Sequence, residues 1–328
     1  MRQHVLNGIK LLISLGLIVW LFQRIDVGEV VAMLRTARPL LVVMATLMYL
    51  GAILSNALKW GVLLRAQKVY VPWRVLVEYT FVGVFFNNFL PANVGGDVMR
   101  GYGLSKYIRR RADAAVSVVV DRLIGLMALT SMAIVSALVA FVQHAANNQD
   151  LLAITGVAIV STVGLGGGFA LMLSRRLRAR VELVVQRTPV LRPFAPLYGR
   201  LSEAVGAYRH RADVLVLAFV IALGTWVLSN LTQWFLAESL GGGMPLLYIF
   251  LFNPLIGLVL LIPISIGGLG VNQNIFPFFY GLVGVPETLA VSVSFLLQFI
   301  IYLTSLPGGV LWWRERHVQH DVAAEPIP

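Results

Sequence analysis

Residues 87–103 read NNFLPANVGGDVMRGYG. They lie between VLVEYTFVGVFF (75–86) and AAVSVVVDRLIGLMAL (114–129), two runs apolar enough for a lipid bilayer. Three Asn, a Pro, a Gly-Gly pair, an Asp and an Arg interrupt them. Pro91 lacks an N–H and disrupts the helix behind it. Gly95 and Gly96 allow backbone angles that other residues avoid. Backbone groups freed in this way cannot stay unpaired in lipid, so the tip must be buried in protein or line a wet cavity.

The whole chain fits a membrane setting. Of its 328 residues, 58% are hydrophobic and 12% charged, and the mean hydropathy is +0.82. Soluble domains carry about twice that charge. The net charge of +11 is spread over the gaps between apolar runs, which reads as topology and lipid contact. No soluble module is present to form a nucleic-acid-binding face. Cysteine is absent, which excludes disulfides, thiolate metal sites and cysteine nucleophiles. The five His fall in loops or ends without metal-ligand spacing, so no metal or other cofactor is expected. The N-terminus imitates a signal peptide but lacks a small-x-small site before Gln23, and is read as a retained first helix.

About 20 apolar residues cross the hydrocarbon core. Expected crossings are 7–22, 39–64, 114–142, 151–173, 214–237 and 288–313. Lys59, Arg65, Lys68 and Arg74 are counted after the second crossing, and Lys106, Arg109, Arg110 and Arg111 before the third. Segment 174–213 holds nine Arg against Glu182, Glu203 and Asp213. These three regions are placed in the cytoplasm, while HAANNQD (144–150), ESLGGGM (238–244) and residues 23–38 are placed outside. The expected location is a bacterial-type inner membrane, with both termini cytoplasmic.

Those sides leave two apolar segments, 73–107 and 245–286, that must return to the face they entered. Each reads as a re-entrant helical hairpin, the first entered from the cytoplasm and the second from outside, with Asn253-Pro254 breaking the incoming helix of the second. The tips match as Leu90-Pro91-x-x-x-Gly95-Gly96 and Ile262-Pro263-x-x-x-Gly267-Gly268. Ala115-Val116-Ser117 and Ala290-Val291-Ser292 follow at similar distances. The expected fold is all-α and polytopic: six full crossings plus two hairpins, arranged as an inverted repeat of 1–143 and 151–313, with a polar tail at 314–328. The Arg-rich segment reads either as two basic amphipathic helices on anionic headgroups or as an ordinary positive loop.

A helix restarting near Gly96 aims its N–H groups into the cavity, where phosphate can sit. Asp97 and Arg100 lie just past the tip. Arg122 lies about 13 Å along its helix from Asp113. A mid-membrane charge costs on the order of 2.5–3.5 kcal/mol and needs a partner or a purpose. Asp121 and Arg122 are adjacent and cannot pair on a helix, so they look to the hairpin and Asp97. Two readings stay open, a buried Asp97–Arg122 ion pair and an Arg100 or Arg122 that meets a lipid phosphate. Asn87, Asn88 and Asn93 are either hairpin caps or headgroup ligands. The second tip offers Ser265, Asn272, Gln273 and Asn274 without charge, with Gly270 beside them. Gln298 stands alone in the last crossing, where an interhelical hydrogen bond is its usual role.

NNFLPANVGGDVMRGYGLSK, AAVSVVVDRLIG, LIPISIGGLGV and VGVPETLAVSVSF together resemble the flippase-like family typified by the transmembrane region of lysylphosphatidylglycerol synthetases. The resemblance covers nearly the whole chain. It implies movement of aminoacylated or other glycerophospholipids between leaflets, and marks Pro91, Gly95, Gly96, Asp97, Arg100, Asp121, Arg122, Pro263, Ser265, Gly267, Gly268 and Gly270. Relatives continue the second tip with Arg-Glu where Asn272-Gln273 stands here, and often carry an Arg near Gln298. In the synthetases a soluble aminoacyl-transferase domain follows; this chain runs on only to RERHVQHDVAAEPIP, and no such half is expected.

The leading expectation is a lipid translocase for a membrane phospholipid or polyprenyl-type lipid. No nucleotide-binding motif occurs, so uphill transport must draw on a gradient or a partner. One alternative is a lipid-linked transferase, against which stand the lack of Asp-x-Asp, the few intramembrane carboxylates and the lack of an extramembrane segment beyond about 40 residues. Another is a non-transporting partner that recruits a lipid synthase through its Arg-rich segment.

Overall fold

A computed structural model describes residues 16, 19–21, 23, 26–89, 95–108, 111–144, 163, 206, 208, 210–260 and 268–324. The expected crossings 7–22 and 151–173, nearly all of the Arg-rich segment, and the tip residues Pro91, Asn93, Pro263, Ser265 and Gly267 lie outside them. Among the described residues every regular element is helical: α1 (Val27–Arg35), α2 (Pro39–Ala66), α3 (Trp73–Phe89), α4 (Gly95–Ile108), α5 (Arg111–His144), α6 (Ala212–Ser239), α7 (Leu246–Leu260), α8 (Val271–Gly281) and α9 (Glu287–Ala324).

Length divides these helices into two kinds. In α2, α5, α6 and α9 the chain is apolar for long enough to cross a bilayer. By contrast α3, α4, α7 and α8 have 17, 14, 15 and 11 residues, short of the ~20 a crossing needs. The local starts are ordinary. Asp26 caps α1 by accepting from Gly28 N at 2.7 Å. Pro39 opens α2 at its first turn, where a missing N–H costs nothing.

Hydrogen bonds fix which helix ends lie together. Before α2, Arg38 N donates to Ser239 O at the end of α6 (2.9 Å). After α2, Gln67 Nε2 donates to the Tyr208 hydroxyl, ahead of α6 (2.6 Å). Midway, the Ser55 and Thr225 hydroxyls meet at 2.9 Å. Hence α2 and α6 are antiparallel along their whole length. Helix α9 starts at the Arg38 end, where Thr288 donates to Glu29 (3.3 Å). It reaches the Gln67 end by Glu315, which accepts from Tyr79 (3.3 Å). The pair α3–α4 begins and finishes at the Gln67 end, and the pair α7–α8 begins and finishes at the Arg38 end.

The packing has a two-fold character. Exchanging α2–α5 for α6–α9 in order leaves the pattern of touching helices unchanged. Thus α3 packs on α9 as α7 packs on α5, and α4 packs on α5 as α8 packs on α9. Contact is close where glycine allows it. A Cβ at Gly96 would overlap the Gly83 carbonyl oxygen of α3, and one at Gly308 would overlap the Phe81 carbonyl oxygen.

Three expectations need correction. Lys59 does not follow the second crossing: it lies inside α2 and is buried, because a carboxylate on α5 receives it. Pro254 does not break the incoming helix, since α7 runs through it from Leu246 to Leu260. Gly96 does not serve through an unusual backbone angle; it has no positive φ, and what it permits is close approach to α3. Left-handed glycines do occur at the second tip, Gly268 (φ 76°) and Gly270 (φ 81°).

Candidate functional site

A cavity of about 410 Å³ lies between the two helix pairs, reached by Asn87 near the end of α3 and by Leu260 at the end of α7. The central parts of α2, α5 and α6 form its other walls. From α2, Tyr49, Ala52, Ile53, Asn56 and Lys59 line it, a stripe with the three- and four-residue spacing of one helical face.

Five charged side chains from three helices meet on this cavity. At the centre is Asp121 of α5, fully enclosed, with Lys59 Nζ of α2 at 3.2 Å and Arg100 Nη2 of α4 at 2.8 Å. Arg100 also reaches Asp97, one turn before it on α4, at 3.3 Å. Arg122 lies against the other Asp97 oxygen at 3.5 Å. Lys59, Arg100 and Asp121 have side-chain exposures of 6%, 4% and 4%, whereas Arg122 retains 41%. Asp121 and Arg122 therefore point apart, the first into the protein and the second toward the opening. The expected Asp97–Arg122 contact is present but is the looser part of the cluster, and Arg100 bridges the two carboxylates.

Other side chains hold this arrangement. Ser117 Oγ donates to Ala114 O at 2.8 Å and accepts from Trp60 Nε1 at 3.0 Å. The Trp60 ring so fixed lies under the Arg100 guanidinium, 4.6 Å from its centroid, a favourable cation–π geometry. The Ala-Val-Ser motif of α5 thus sets the platform for a charge on α4. Asn87 Oδ1 accepts from Gly96 N at 2.9 Å, so this side chain caps α4 and occupies an N–H at the start of the helix. Asn88 is buried with its Nδ2 unpartnered.

The second helix pair presents amides. Gln273 Oε1 accepts from Gly270 N at 2.7 Å and caps α8. Asn272 is buried with an unpartnered Oδ1, and Gln298 of α9 hydrogen-bonds to Tyr302. None of these three lines the charged cavity. Asn253 links Asn230 (2.8 Å) to Tyr280 (3.1 Å) in a buried chain across α6, α7 and α8. Shifting the first tip onto the second by its prolines puts the amide of Asn272 in the place of the Arg100 guanidinium.

Sequence reasoning missed Lys59, Asn56, Thr80 and Ser229 as cavity residues. For Lys59 a signal existed: it lies inside the apolar run 39–64, and a cation within a crossing needs a partner. For the hydroxyl residues none did, since Ser and Thr are common in membrane helices and here Thr80 also bonds its own helix at Leu76 O.

Long apolar helices around a buried charged cavity define a polytopic membrane protein with a polar interior site. The chain belongs to the family of the lysylphosphatidylglycerol synthase TM region, whose model matches residues 8–308. It is 23% identical over 340 residues to a UPF0104 membrane protein of Pyrococcus horikoshii, a match covering 96% of this chain and 98% of that one. A UPF0104 membrane protein of Methanothermobacter thermautotrophicus is 25% identical over 299 residues, 86% of this chain and 87% of the relative. A third, from Methanocaldococcus jannaschii, is 23% identical over 245 residues, 74% of this chain and 98% of its own. No solved structure matches.

Proposed function

We propose that the chain is a lipid translocase whose cavity passes a phosphate-bearing headgroup between leaflets while the acyl chains stay in the bilayer. One observation carries the reading: among the described residues the cavity has Lys59, Arg100 and Arg122 against Asp97 and Asp121, one positive charge in excess, with Arg122 facing the opening. An uncompensated cation held between helices at membrane depth is costly, and an anionic ligand removes that cost.

The helix ends support a transport geometry. Two short helix pairs that return to opposite ends of the bundle and leave a polar space between them are what a pair of re-entrant hairpins produces. Antiparallel α2 and α6, together with the exchange symmetry of the contacts, favour an inverted repeat, and rocking of one half on the other gives alternating access. The Gln67 end carries Arg65 and Lys68 and is taken as cytoplasmic, along with both termini.

The test is movement of fluorescent phospholipid in proteoliposomes by the wild-type protein and by the Arg122→Ala and Arg122→Gln variants. Loss of movement in folded variants is expected. Wild-type rates in variants with unchanged thermal stability overturn the phosphate role.

A further inference from the structure

We propose that the cavity selects for headgroup charge: it takes a phosphate carrying one negative charge, as in a phosphodiester lipid, and rejects one carrying two, as in a phosphomonoester. This rests on the lipid translocase reading, and concerns which phosphate the same site accepts.

The selectivity follows from how the five charges are committed. Asp121 is engaged from two sides, by Lys59 at 3.2 Å and Arg100 at 2.8 Å. Both cations are almost fully enclosed, with Lys59 Nζ and Arg100 Nη2 held on that carboxylate and the Arg100 Nε buried without a partner. Arg122 alone of the three is open, and its contact with Asp97 is long. An incoming phosphate oxygen can take the Arg122 guanidinium without stranding Asp97, because Asp97 keeps Arg100 at 3.3 Å. One negative charge brings the five-residue cluster and ligand to neutrality. A second finds no further cation among the described residues of the cavity and lies close to the Asp97 carboxylate, where like charges repel strongly at low dielectric.

Ligand protonation supplies the control. A phosphomonoester loses its second proton near pH 6, so phosphatidic acid is chiefly a dianion at pH 8 and chiefly a monoanion at pH 5.5. Phosphatidylglycerol carries a single charge at both.

The experiment measures stabilisation of the purified full chain in neutral detergent by short-chain phosphatidylglycerol and short-chain phosphatidic acid, titrated at both pH values. Phosphatidylglycerol should bind at least about tenfold more tightly than phosphatidic acid at pH 8, since one unpaired charge at this depth is worth more than that factor. At pH 5.5 the gap should close to within about threefold. Arg122→Gln should abolish the binding of phosphatidylglycerol, and Arg122→Lys should retain the preference. Phosphatidic acid binding as tightly as phosphatidylglycerol at pH 8, or an absence of phosphatidylglycerol binding, overturns the charge rule. Lipid movement in proteoliposomes is a separate readout: binding with this preference but no movement would defeat the translocase reading and leave the charge rule standing.

Discussion

Ser136 Oγ donates to the carbonyl oxygen of Phe250 at 3.1 Å, joining α5 to α7. Phe250 lies four residues before Pro254, so its carbonyl is the one whose helical donor the proline ring removes. The bundle supplies that donor from another helix, which explains why α7 continues past its proline. Ser136→Ala is expected to destabilise the protein by about 1–3 kcal/mol, the cost of a buried polar group left unmatched. Ser136→Thr keeps the hydroxyl and should restore most of the loss. Thermal melting in detergent decides; an unaltered transition for the alanine variant counts against this account.

Asp121 tests the buried cluster. Asp121→Asn leaves Lys59 and Arg100 with a neutral partner in an enclosed space. Removing one member of such a group costs about 3–5 kcal/mol, so the variant should melt far earlier than wild type or fail to accumulate. Arg122→Gln, at a half-open position, should be much milder. Equal losses in the two variants would contradict the division between a fixed core and an open cation.

Close packing of α3 and α4 depends on Gly96. A methyl group there meets the Gly83 carbonyl and the Asn87 side chain, and overpacking of this kind costs about 1–3 kcal/mol. Gly96→Ala should therefore lower the melting temperature. Gly281→Ala, with nothing near its added carbon, serves as the control. If both behave alike, the approach of the helices is looser than described.

The ends of the bundle can be assigned by labelling, because the chain contains no cysteine. Tyr70 is 79% exposed and lies just beyond the Gln67 end, and Glu287 opens α9 at the Arg38 end. Single cysteines at these positions should react with an impermeant maleimide from opposite faces of the membrane, Tyr70→Cys from the cytoplasm. Labelling from the same face would overturn the arrangement of helix ends.

Much of the helix arrangement was legible because lipid is an unforgiving solvent. Gly95 and Gly96 inside an apolar run signalled a break, and there one short helix ends at Phe89 and another begins at Gly95. The adjacent Asp121 and Arg122 had to look in different directions, and they do. Lys59 was misread because proximity to Arg65 in sequence resembles a loop cluster, whereas its partner lies 62 residues away. Pro254 was misread because the helix is completed by Ser136, which no local pattern announces. Which cation stays open, and the platform that Trp60 makes under Arg100, depend on three helices at once and could not be read from any one of them.

The separation of Lys59 from its carboxylate also bears on how the protein is made. At a synthesis rate of roughly 5–20 residues per second, the 62 residues between them take about 3–12 s to emerge. Through that interval the ammonium group of α2 lacks the carboxylate that receives it in the folded protein, a cost on the order of 2.5–3.5 kcal/mol for a cation at the centre of a crossing. The arrival of α5 removes that cost, so the pairing of α2 with α5 is completed only once both helices have been made.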